Sequence, residues 1–507
     1  MSAASTPSAD ALLPPPPPGF KQLLGHPRPL WMLFMTEFWE RFAFYGMRWA
    51  LTLYIVAQFF GGDASGQAYA SRTYGAFLAL VYATALFGGF VADRMIGYQR
   101  SILLGAVLMA AGFGCIMLPS QSIFVAGLSL VIVGNGLFKP NISTMVGKLY
   151  AQDDSRRDRG FTIFYMGINA GALVAPLLTG WLASVLSDTL MQQNYKAVFA
   201  ASGIGMLISF LWFWFERPKL EGIGAPPAAR NGVSSLLMVT IGALVAVPVV
   251  YVLIDKAGAI ALAWILAILF IVLAVMLLVE AVRNGKIATH RVVAMLIIFT
   301  FNVLFWMFFE QAGSSFNFLA EHIVNRKMFG GWEFPVGWFQ SVNPVAIVCL
   351  APLVAVAWGV LNRKGMEPSI PRKFGLGLLG NAVAFLALMY ALKNLVNAEG
   401  LIPFWPLVLV YVLQTLGELC LSPIGLSMVT KLAPIRVVGL AMGGWFLSTA
   451  IGNNLSGIFA GRVSGETGIT VASALSGFTL SFWLLLAAGV ILFAAAPLIN
   501  KLMHGVK

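Results

Sequence analysis

The sequence predicts an all-α membrane protein that crosses the bilayer many times, and three observations lead to this fold class. Of its 507 residues, 59% are hydrophobic and 10% are charged, a composition outside the range of soluble globular domains. Apolar stretches of about 20 residues, the length of one helical crossing, recur along nearly the whole chain. The short alternating strands typical of membrane barrels are not the pattern seen. We therefore expect a bundle of spanning helices.

Fourteen spanning segments follow from these apolar stretches. The first holds several charged residues, and glycines within the fifth indicate helices that pack closely or bend. The predicted segments are residues 30–60, 72–92, 101–119, 122–150, 159–186, 196–216, 233–254, 258–282, 289–317, 337–361, 374–395, 402–431, 437–461 and 472–499.

The basic residues indicate how the chain is oriented. Most of the 32 Lys and Arg residues fall in alternate connections between the predicted spans, on the side that also holds both termini. Positive charge is concentrated in cytoplasmic loops of membrane proteins. We therefore expect both termini in the cytoplasm. The same bias accounts for the net charge of +12 without a nucleic-acid partner.

The cysteines do not indicate a metal site or a disulfide framework. Cys115, Cys349 and Cys420 each lie within an apolar segment and show no CxxC spacing. Isolated cysteines of this kind usually serve as small packing residues. We expect neither a metal nor an organic cofactor.

The seventh and eighth predicted segments, 233–254 and 258–282, look like an insertion, because they carry no charge in their interiors and follow a polar linker. Without them, twelve segments remain, and the deeply placed charges fall in the first, fourth, seventh and tenth of these. Such a period is typical of repeated triplets, as in the major facilitator fold, with two six-helix bundles. The predicted division is a disordered cytoplasmic tail (1–28), an N-terminal six-helix bundle (29–217), a linker with two inserted helices (218–287), a C-terminal six-helix bundle (288–502) and a short tail (503–507).

Charges inside the predicted spans are the strongest functional signal. In the first span, the charged residues share one helix face of roughly 140°, which must contact protein or water. Each charge near the bilayer centre costs roughly 2.5–3.5 kcal/mol on insertion scales, so such residues are paired or hydrated. Static salt bridges between helices are the alternative to a functional role. The seven residues are Glu37, Glu40, Arg41, Arg48, Lys139, Glu310 and Glu418.

Four of these seven residues are glutamates and three are bases, so one carboxylate has no cationic partner in a one-to-one arrangement. A glutamate without a partner in a low dielectric tends to take up a proton. The four histidines lie in tails, loops or at the ends of predicted helices. Any proton handling is therefore expected to fall to the glutamates.

Polar and aromatic side chains accompany the deep charges at helical spacing. Tyr165 and Asn169 lie one turn apart, although ordinary hydrogen bonding between helices is an alternative reading. Similar rows occur in the ninth and twelfth predicted spans, and they consist of Trp306, Glu310 and Ser314, and of Gln414, Glu418 and Ser422.

Four motifs then occur in order along the chain. They are Glu37-x-x-Glu40-Arg41-Phe-x-x-Tyr45-Gly, Phe138-Lys139-Pro-Asn141, Phe164-Tyr165-x-x-Ile-Asn169-x-Gly and Gly417-Glu418-x-x-x-Ser422-Pro423. Together they resemble the motifs of the proton-dependent oligopeptide transporter family, in its bacterial form with two additional helices. The chain departs from the family pattern at Phe44, where a second tyrosine is usual.

The resemblance implies a carrier of the bacterial inner membrane that takes up di- and tripeptides by alternating access between two six-helix bundles, with protons as the coupling ion. By motif, Glu37, Glu40 and Arg41 would couple protons, and Glu310 would be a protonatable partner of Arg48. Arg48 and Lys139 would receive the peptide carboxylate, and Glu418 the amino terminus. Further residues that match the family's peptide pocket are Tyr45, Tyr82, Tyr165, Asn169, Trp306, Asn343, Ser422 and Trp445.

The connection between the second and third spans carries a separate motif. Gly89-x-x-x-Asp93-Arg94-x-x-Gly97-x-x-Arg100 resembles the cytoplasmic loop motif of the major facilitator superfamily. This resemblance implies a gating role for Asp93 and Arg94, not a role in substrate binding.

Three other functions are compatible with a helical membrane protein. The same fold could carry nitrate or another small anion, but Glu418 opposite Lys139 favours a substrate with both charges. A membrane-embedded enzyme is disfavoured because no histidine lies deep in a span and neither GxSxG nor HExxH occurs. A channel fits less well than a carrier, because two pseudo-symmetric halves with central charges are typical of alternating access.

Overall fold

A computed structural model describes residues 19–151, 154–187, 193–227 and 232–506. In these residues the chain forms one short antiparallel pair of strands, β1 (Gln22–Leu23) and β2 (His26–Pro27), and otherwise helices. The α-helices are α1 (Arg28–Phe59), α2 (Gly66–Val91), α3 (Gly97–Ile116), α4 (Gln121–Lys148), α5 (Arg157–Val185), α6 (Tyr195–Glu216), α7 (Val233–Tyr251), α8 (Gly258–Arg283), α9 (Lys286–Phe309), α10 (Ser315–His322), α11 (Val342–Arg363), α12 (Ile370–Asn394), α13 (Trp405–Leu432), α14 (Val438–Ser464) and α15 (Val471–Met503).

The helices account for each of the fourteen predicted crossings. Twelve helical segments of the described chain are long and apolar enough to span a membrane, and one of them, Gly66–Ile116, contains both α2 and α3. Helix α1 is not among the twelve, and it carries four charged side chains in its interior. We call the face where α1 begins and α15 ends the termini side, and the opposite face the far side.

The predicted continuous helix over 289–317 is wrong at its end. Helix α9 stops at Phe309, a single 3-10 turn spans Glu310–Gly313, and Ser314 has φ −129° and ψ −92° before α10 begins. Irregular backbone at membrane depth needs substitute hydrogen bonds. The carbonyl of Ala312 accepts one from Tyr411 Oη at 3.2 Å, and the carbonyl of Gly313 accepts one from Asn317 Nδ2 at 3.1 Å.

The long helices pack as two groups with the inserted pair between them. Apart from α2 and α14, which pack against each other across the groups, helices α1–α6 pack mainly on one another, and so do α9–α15. We call α1–α6 the first half and α9–α15 the second half. The inserted helices divide between the groups, because α7 packs against α4 whereas α8 packs against α9 and α14. The Asn454 side chain donates to the Ala259 carbonyl at 2.7 Å and fixes the start of α8 to α14.

The two halves touch closely along α2 and α14. A Cβ atom added at Gly75 would lie 2.7 Å from the Cα of Gly457, a distance that backbone packing does not allow. Glycine at these positions therefore lets the two helix backbones approach.

Hydrogen bonds between side chains and backbone carbonyls join the halves in the far-side part of the molecule. Asn317 Nδ2 donates to the carbonyl of Trp49 at 2.8 Å, and Thr52 Oγ1 donates to the carbonyl of Gly313 at 3.3 Å. Two further bonds connect α5 to the turn before α11, from Trp338 Nε1 to the Leu177 carbonyl at 2.9 Å and from Ser341 Oγ to the Leu173 carbonyl at 3.0 Å. The centre of the molecule is closed toward the far side.

The segment before α1 differs from the expected disordered tail, of which residues 1–18 lie outside the described chain. Strands β1 and β2 form a hairpin that contacts the connection between α4 and α5. His26 is buried and its Nδ1 lies 2.8 Å from the hydroxyl of Tyr150. Arg156 donates to the Gln22 side chain at 3.1 Å and to the Gly25 carbonyl at 3.3 Å. These polar contacts give the segment fixed partners that the apolar pattern of the sequence does not reveal.

Candidate functional site

A cluster of charges lies on the termini-side half of α1. Glu37, Glu40 and Arg41 are 1%, 0% and 2% exposed. The Arg41 guanidinium pairs with both carboxylates, with its Nε 3.4 Å from Glu37 Oε1 and its Nη2 2.5 Å from Glu40 Oε1. Asn135 of α4 also donates to Glu40 at 3.0 Å. One arginine therefore serves two glutamates, and Glu37 Oε2 has no hydrogen-bond partner among the described residues.

A second ion pair connects the two halves near the middle of α1. Arg48 Nη2 donates to Glu310 Oε2, at the break that follows α9. Arg48 Nε donates to the hydroxyl of Tyr74 at 2.7 Å, and its guanidinium carbon lies 5.6 Å from the centroid of the Tyr45 ring. Glu310 is the first residue of the 3-10 turn that follows α9, so its carboxylate lies at the depth where the α-helix ends.

Lys139 lies in α4, one residue before Pro140, and has no carboxylate within ion-pair distance among the described residues. Its ammonium group lies 5.3 Å from the centroid of the Tyr82 ring, a distance at which a cation and an aromatic face attract each other. Lys139 is thus a partly exposed cation of the first half that the structure leaves available to an anion.

Glu418 of α13 is held by uncharged groups. Asn343 Nδ2 of α11 donates to its Oε2 at 3.0 Å and to the hydroxyl of Thr415 at 2.9 Å. No cation among the described residues forms an ion pair with Glu418. Arg48 therefore pairs with Glu310 across the halves, whereas Lys139 and Glu418 form no ion pair with each other.

The predicted pocket tyrosines and Asn169 differ in how exposed they are and in the hydrogen bonds they make. Tyr45 and Tyr82 are half-buried, whereas Tyr165, on the termini-side part of α5, is 48% exposed. The amide of Asn169 donates to the backbone carbonyl of Tyr165 at 2.9 Å, a bond within one helix and not between helices. Phe44, which replaces a usual tyrosine, is buried with its ring 6.2 Å from that of Phe77.

The predicted tryptophan contacts differ in their exposure. Trp306 is half-buried and its Nε1 donates to Asn302 at 3.0 Å. Trp445 is only 4% exposed and packs between Phe299 and Phe374, at ring separations of 5.9 and 6.0 Å. Trp445 therefore offers a ligand little surface in this arrangement.

Ser422 stays on the same continuous helix as Gln414 and Glu418, whereas Ser314 leaves its expected polar row. The hydroxyl of each is buried without a hydrogen-bond partner in the described chain. Because the helix breaks after Phe309, Ser314 does not continue the face that carries Trp306.

Asp93 and Arg94 lie on the termini side, away from the central charges. They belong to the π-helical turn Ala92–Ile96 between α2 and α3, and both are exposed. The hydroxyl of Tyr98 donates to Asp93, and Arg94 lies over the Phe90 ring at 5.8 Å. This position is separate from the central site.

Sequence reasoning did not identify Tyr74, Gln340 and Tyr411, three polar residues beside the Arg48–Glu310 pair. The hydroxyl of Tyr74 accepts a hydrogen bond from Arg48. Gln340 donates to the hydroxyl of Tyr411 at 3.3 Å and to Asn317 Oδ1 at 3.2 Å. A polar residue within an apolar segment was the available signal for Gln340, but its depth becomes clear only from the break after α9. A small cavity of about 20 Å³ next to Arg48 and Gln340 has room for about one water molecule.

The central site therefore has separated charges. The first half contributes the cations Arg48 and Lys139, and the second half contributes the carboxylates Glu310 and Glu418. Such a site can bind the two ends of a zwitterion from opposite halves, and the Arg48–Glu310 pair can exchange one partner for a proton or a substrate group.

Comparisons with known proteins agree with this geometry. The model of the POT family matches residues 99–475. The chain is 38% identical to the peptide transporter YePEPT of Yersinia enterocolitica, covering 89% of this chain and 90% of the relative. It is 34% identical to dipeptide and tripeptide permease B of Photorhabdus luminescens, with 95% and 98% covered.

Solved structures of peptide transporters are also similar to this chain over nearly its whole length. A crystal structure of a peptide transporter POT in complex with sulfate has a TM-score of 0.81 and 33% identity, over 96% of this chain and 97% of that chain. A mutant of a peptide transporter POT in complex with alafosfalin has a TM-score of 0.81 and 32% identity over the same shares.

Proposed function

Because this chain belongs to the POT family of the major facilitator fold, we propose that it imports di- and tripeptides together with protons. The chain is a multi-pass membrane protein. The proposed activity is transport without chemical conversion of the peptide, and it requires protons but no cofactor. The relatives that carry peptides support the substrate class, and the central charges support the coupling.

The observation that carries the proposal is the distribution of charge between the halves. A short peptide has a carboxylate at one end and an ammonium group at the other, while its side chains vary. Lys139 and Glu418 have no ion-pair partner among the described residues, so each is available to one end of such a ligand. A carrier that binds both ends and the backbone can accept many side chains.

Coupling follows from the competition for Arg48. In the empty carrier, Glu310 neutralises Arg48 across the two halves. A proton on Glu310 removes that negative charge, and the guanidinium then binds the peptide carboxylate instead. The cluster of Glu37, Glu40 and Arg41 supplies a second proton site, because one arginine is shared by two buried carboxylates.

The orientation is part of the same proposal. The chain would lie in the bacterial inner membrane with both termini in the cytoplasm, in line with the distribution of basic residues. The structure is closed toward the far side and leaves Tyr165 exposed on the termini side. In that orientation, this arrangement would release substrate to the cytoplasm.

Uptake into proteoliposomes tests the proposal. An inward proton gradient should drive accumulation of labelled dialanine, and unlabelled dipeptides and tripeptides should compete with it. Uptake that is unchanged when a protonophore collapses the gradient would contradict the coupling. If nitrate competes and dialanine does not, the substrate is a small anion and the peptide assignment is wrong.

A further inference from the structure

An apolar groove lies on the outside of the molecule where the two halves meet. It has a volume of about 490 Å³ and lies in the far-side half of the spanning segments. Leucines of α5 form one wall, and residues of α11 and α13 form the other. Its lining includes Leu173, Leu177, Val345, Cys349, Val408 and Val412.

The polar groups in its walls already have partners. Trp338 Nε1 donates to the Leu177 carbonyl at 2.9 Å, and Ser341 Oγ donates to the Leu173 carbonyl at 3.0 Å. Water or a polar ligand in the groove would give up hydrogen bonds without replacing them. The groove therefore favours a fully apolar occupant.

The position of the groove decides what that occupant is. Val345 is 44% exposed, and its helix α11 also exposes Val348 at 60% and Leu353 at 64%. In a spanning helix such an apolar face contacts lipid hydrocarbon, and the groove is continuous with it. We propose that the groove binds one acyl chain of a membrane phospholipid from the leaflet on the far side.

The site depends on the relative position of the two halves. Leu173 and Leu177 belong to the first half, whereas Val345 and Cys349 belong to the second. If the halves separate on the far side, the walls move apart and the acyl chain loses its contacts. Bound lipid therefore stabilises the arrangement that is closed toward the far side.

Native mass spectrometry of the purified full-length protein tests the site with a matched pair of variants. Val345→Trp places a large side chain in the groove, whereas Val348→Trp places the same side chain on the lipid-facing surface of α11 outside it. We expect the wild type and Val348→Trp to retain one phospholipid more per chain than Val345→Trp after identical delipidation. Equal lipid retention in the wild type and Val345→Trp overturns the proposal, as does equal loss in both variants.

A second measurement leaves the sequence unchanged and so does not depend on how the variants fold. Cys349 lines the groove and is exposed, and its reaction with a membrane-permeant maleimide can be followed by peptide mapping, with Cys115 and Cys420 as internal references. Removal of lipid should accelerate the reaction at Cys349 severalfold relative to the references. Unchanged relative rates overturn the proposal. The result is independent of the proposed function, because neither measurement involves peptide or protons.

Discussion

Arg48 of α1 and Glu310, which follows α9, form an ion pair across the boundary between the two halves. The side chains of Arg48 and Glu310 are only 11% and 4% exposed, so the pair is largely shielded from water. Breaking a buried pair by removing one partner leaves a costly unpaired charge. A proton on Glu310 together with a substrate carboxylate on Arg48 avoids this cost, because each then compensates one of the two charges.

Replacing Glu310 separates proton coupling from substrate exchange. Glu310→Gln keeps the size of the side chain but removes its titration, so we expect proton-driven accumulation of dialanine to be abolished while counterflow exchange persists. Glu321→Gln, in the adjacent helix α10 and paired with Arg326 near the far side, is the matched control and should transport normally. Wild-type accumulation by Glu310→Gln would show that Glu310 does not carry the coupled proton.

Lys139 should be required for peptide binding. Lys139→Ala removes a cation that has no carboxylate partner among the described residues. The expected loss of dialanine affinity therefore comes from a lost contact with the substrate and not from a broken ion pair within the fold. A charged hydrogen bond contributes about 1.5–3 kcal/mol, which corresponds to a loss of dialanine affinity of about tenfold or more. Lys148→Ala, an exposed position in the same helix, is the control. Equal dialanine affinity in both variants would exclude a direct role for Lys139.

The hydroxyl of Tyr74 should position Arg48. Tyr74→Phe removes the acceptor of the 2.7 Å hydrogen bond from Arg48 and leaves the ring in place. We expect initial uptake to fall by about tenfold, since a hydrogen bond to a charged group is lost. Tyr69→Phe, in the same helix, removes only the acceptor of a bond from Gln121 and should retain normal uptake. A shift in the pH profile of uptake in Tyr74→Phe alone distinguishes positioning of Arg48 from general damage to the fold.

Recognition of the amino terminus should depend on Glu418. The wild type is expected to discriminate strongly between dialanine and N-acetyl-dialanine, because acetylation removes the positive charge that Glu418 would bind. Glu418→Gln should lower affinity for dialanine and leave the weak affinity for the acetylated peptide nearly unchanged. Equal losses for both peptides would place the amino terminus elsewhere.

The hairpin before α1 should loosen as the pH falls. Burial, together with the nearby Arg156 and Arg159 guanidinium groups, lowers the pKa of His26 below its ordinary value of 6.5. A lowered pKa in the folded state means that the stabilisation is fully present above about pH 6.5 and is lost as the pH falls through the folded-state pKa. Hydrogen exchange of residues 19–28, corrected for intrinsic rates, should therefore increase between about pH 7.5 and 5.5. In His26→Gln that pH dependence should disappear, and its persistence would assign the effect to another group.

The sequence predicted the groups that membrane burial makes conspicuous. Charges are costly in lipid, so the deep charges were expected to be paired or hydrated, and the family resemblance implied that Glu310 is the partner of Arg48. The structure pairs Arg41 with both glutamates of α1 and pairs Arg48 with Glu310. The break at Glu310–Gly313 was not predicted, because its compensating hydrogen bonds come from Asn317 and Tyr411, and Tyr411 lies far along the chain. Tyr74 was missed for a similar reason, since a tyrosine in an apolar helix gives no sign of its partner. The short hairpin before α1 depends on contacts with Tyr150 and Arg156 that no local pattern encodes.

The bonds that join the halves on the far side differ chemically from the ion pair at their inner edge. In the four bonds described above, the acceptors are the backbone carbonyls of Trp49, Gly313, Leu177 and Leu173, and the donors are an amide, two hydroxyls and an indole. None of these groups gains or loses a proton at physiological pH, so the far-side contacts have the same strength on either side of a proton gradient. The acidity of the medium therefore acts on this boundary at Glu310. The uncharged bonds contribute a free energy of closure that does not change with pH, and binding of the peptide and the proton together must exceed it before the far side can open.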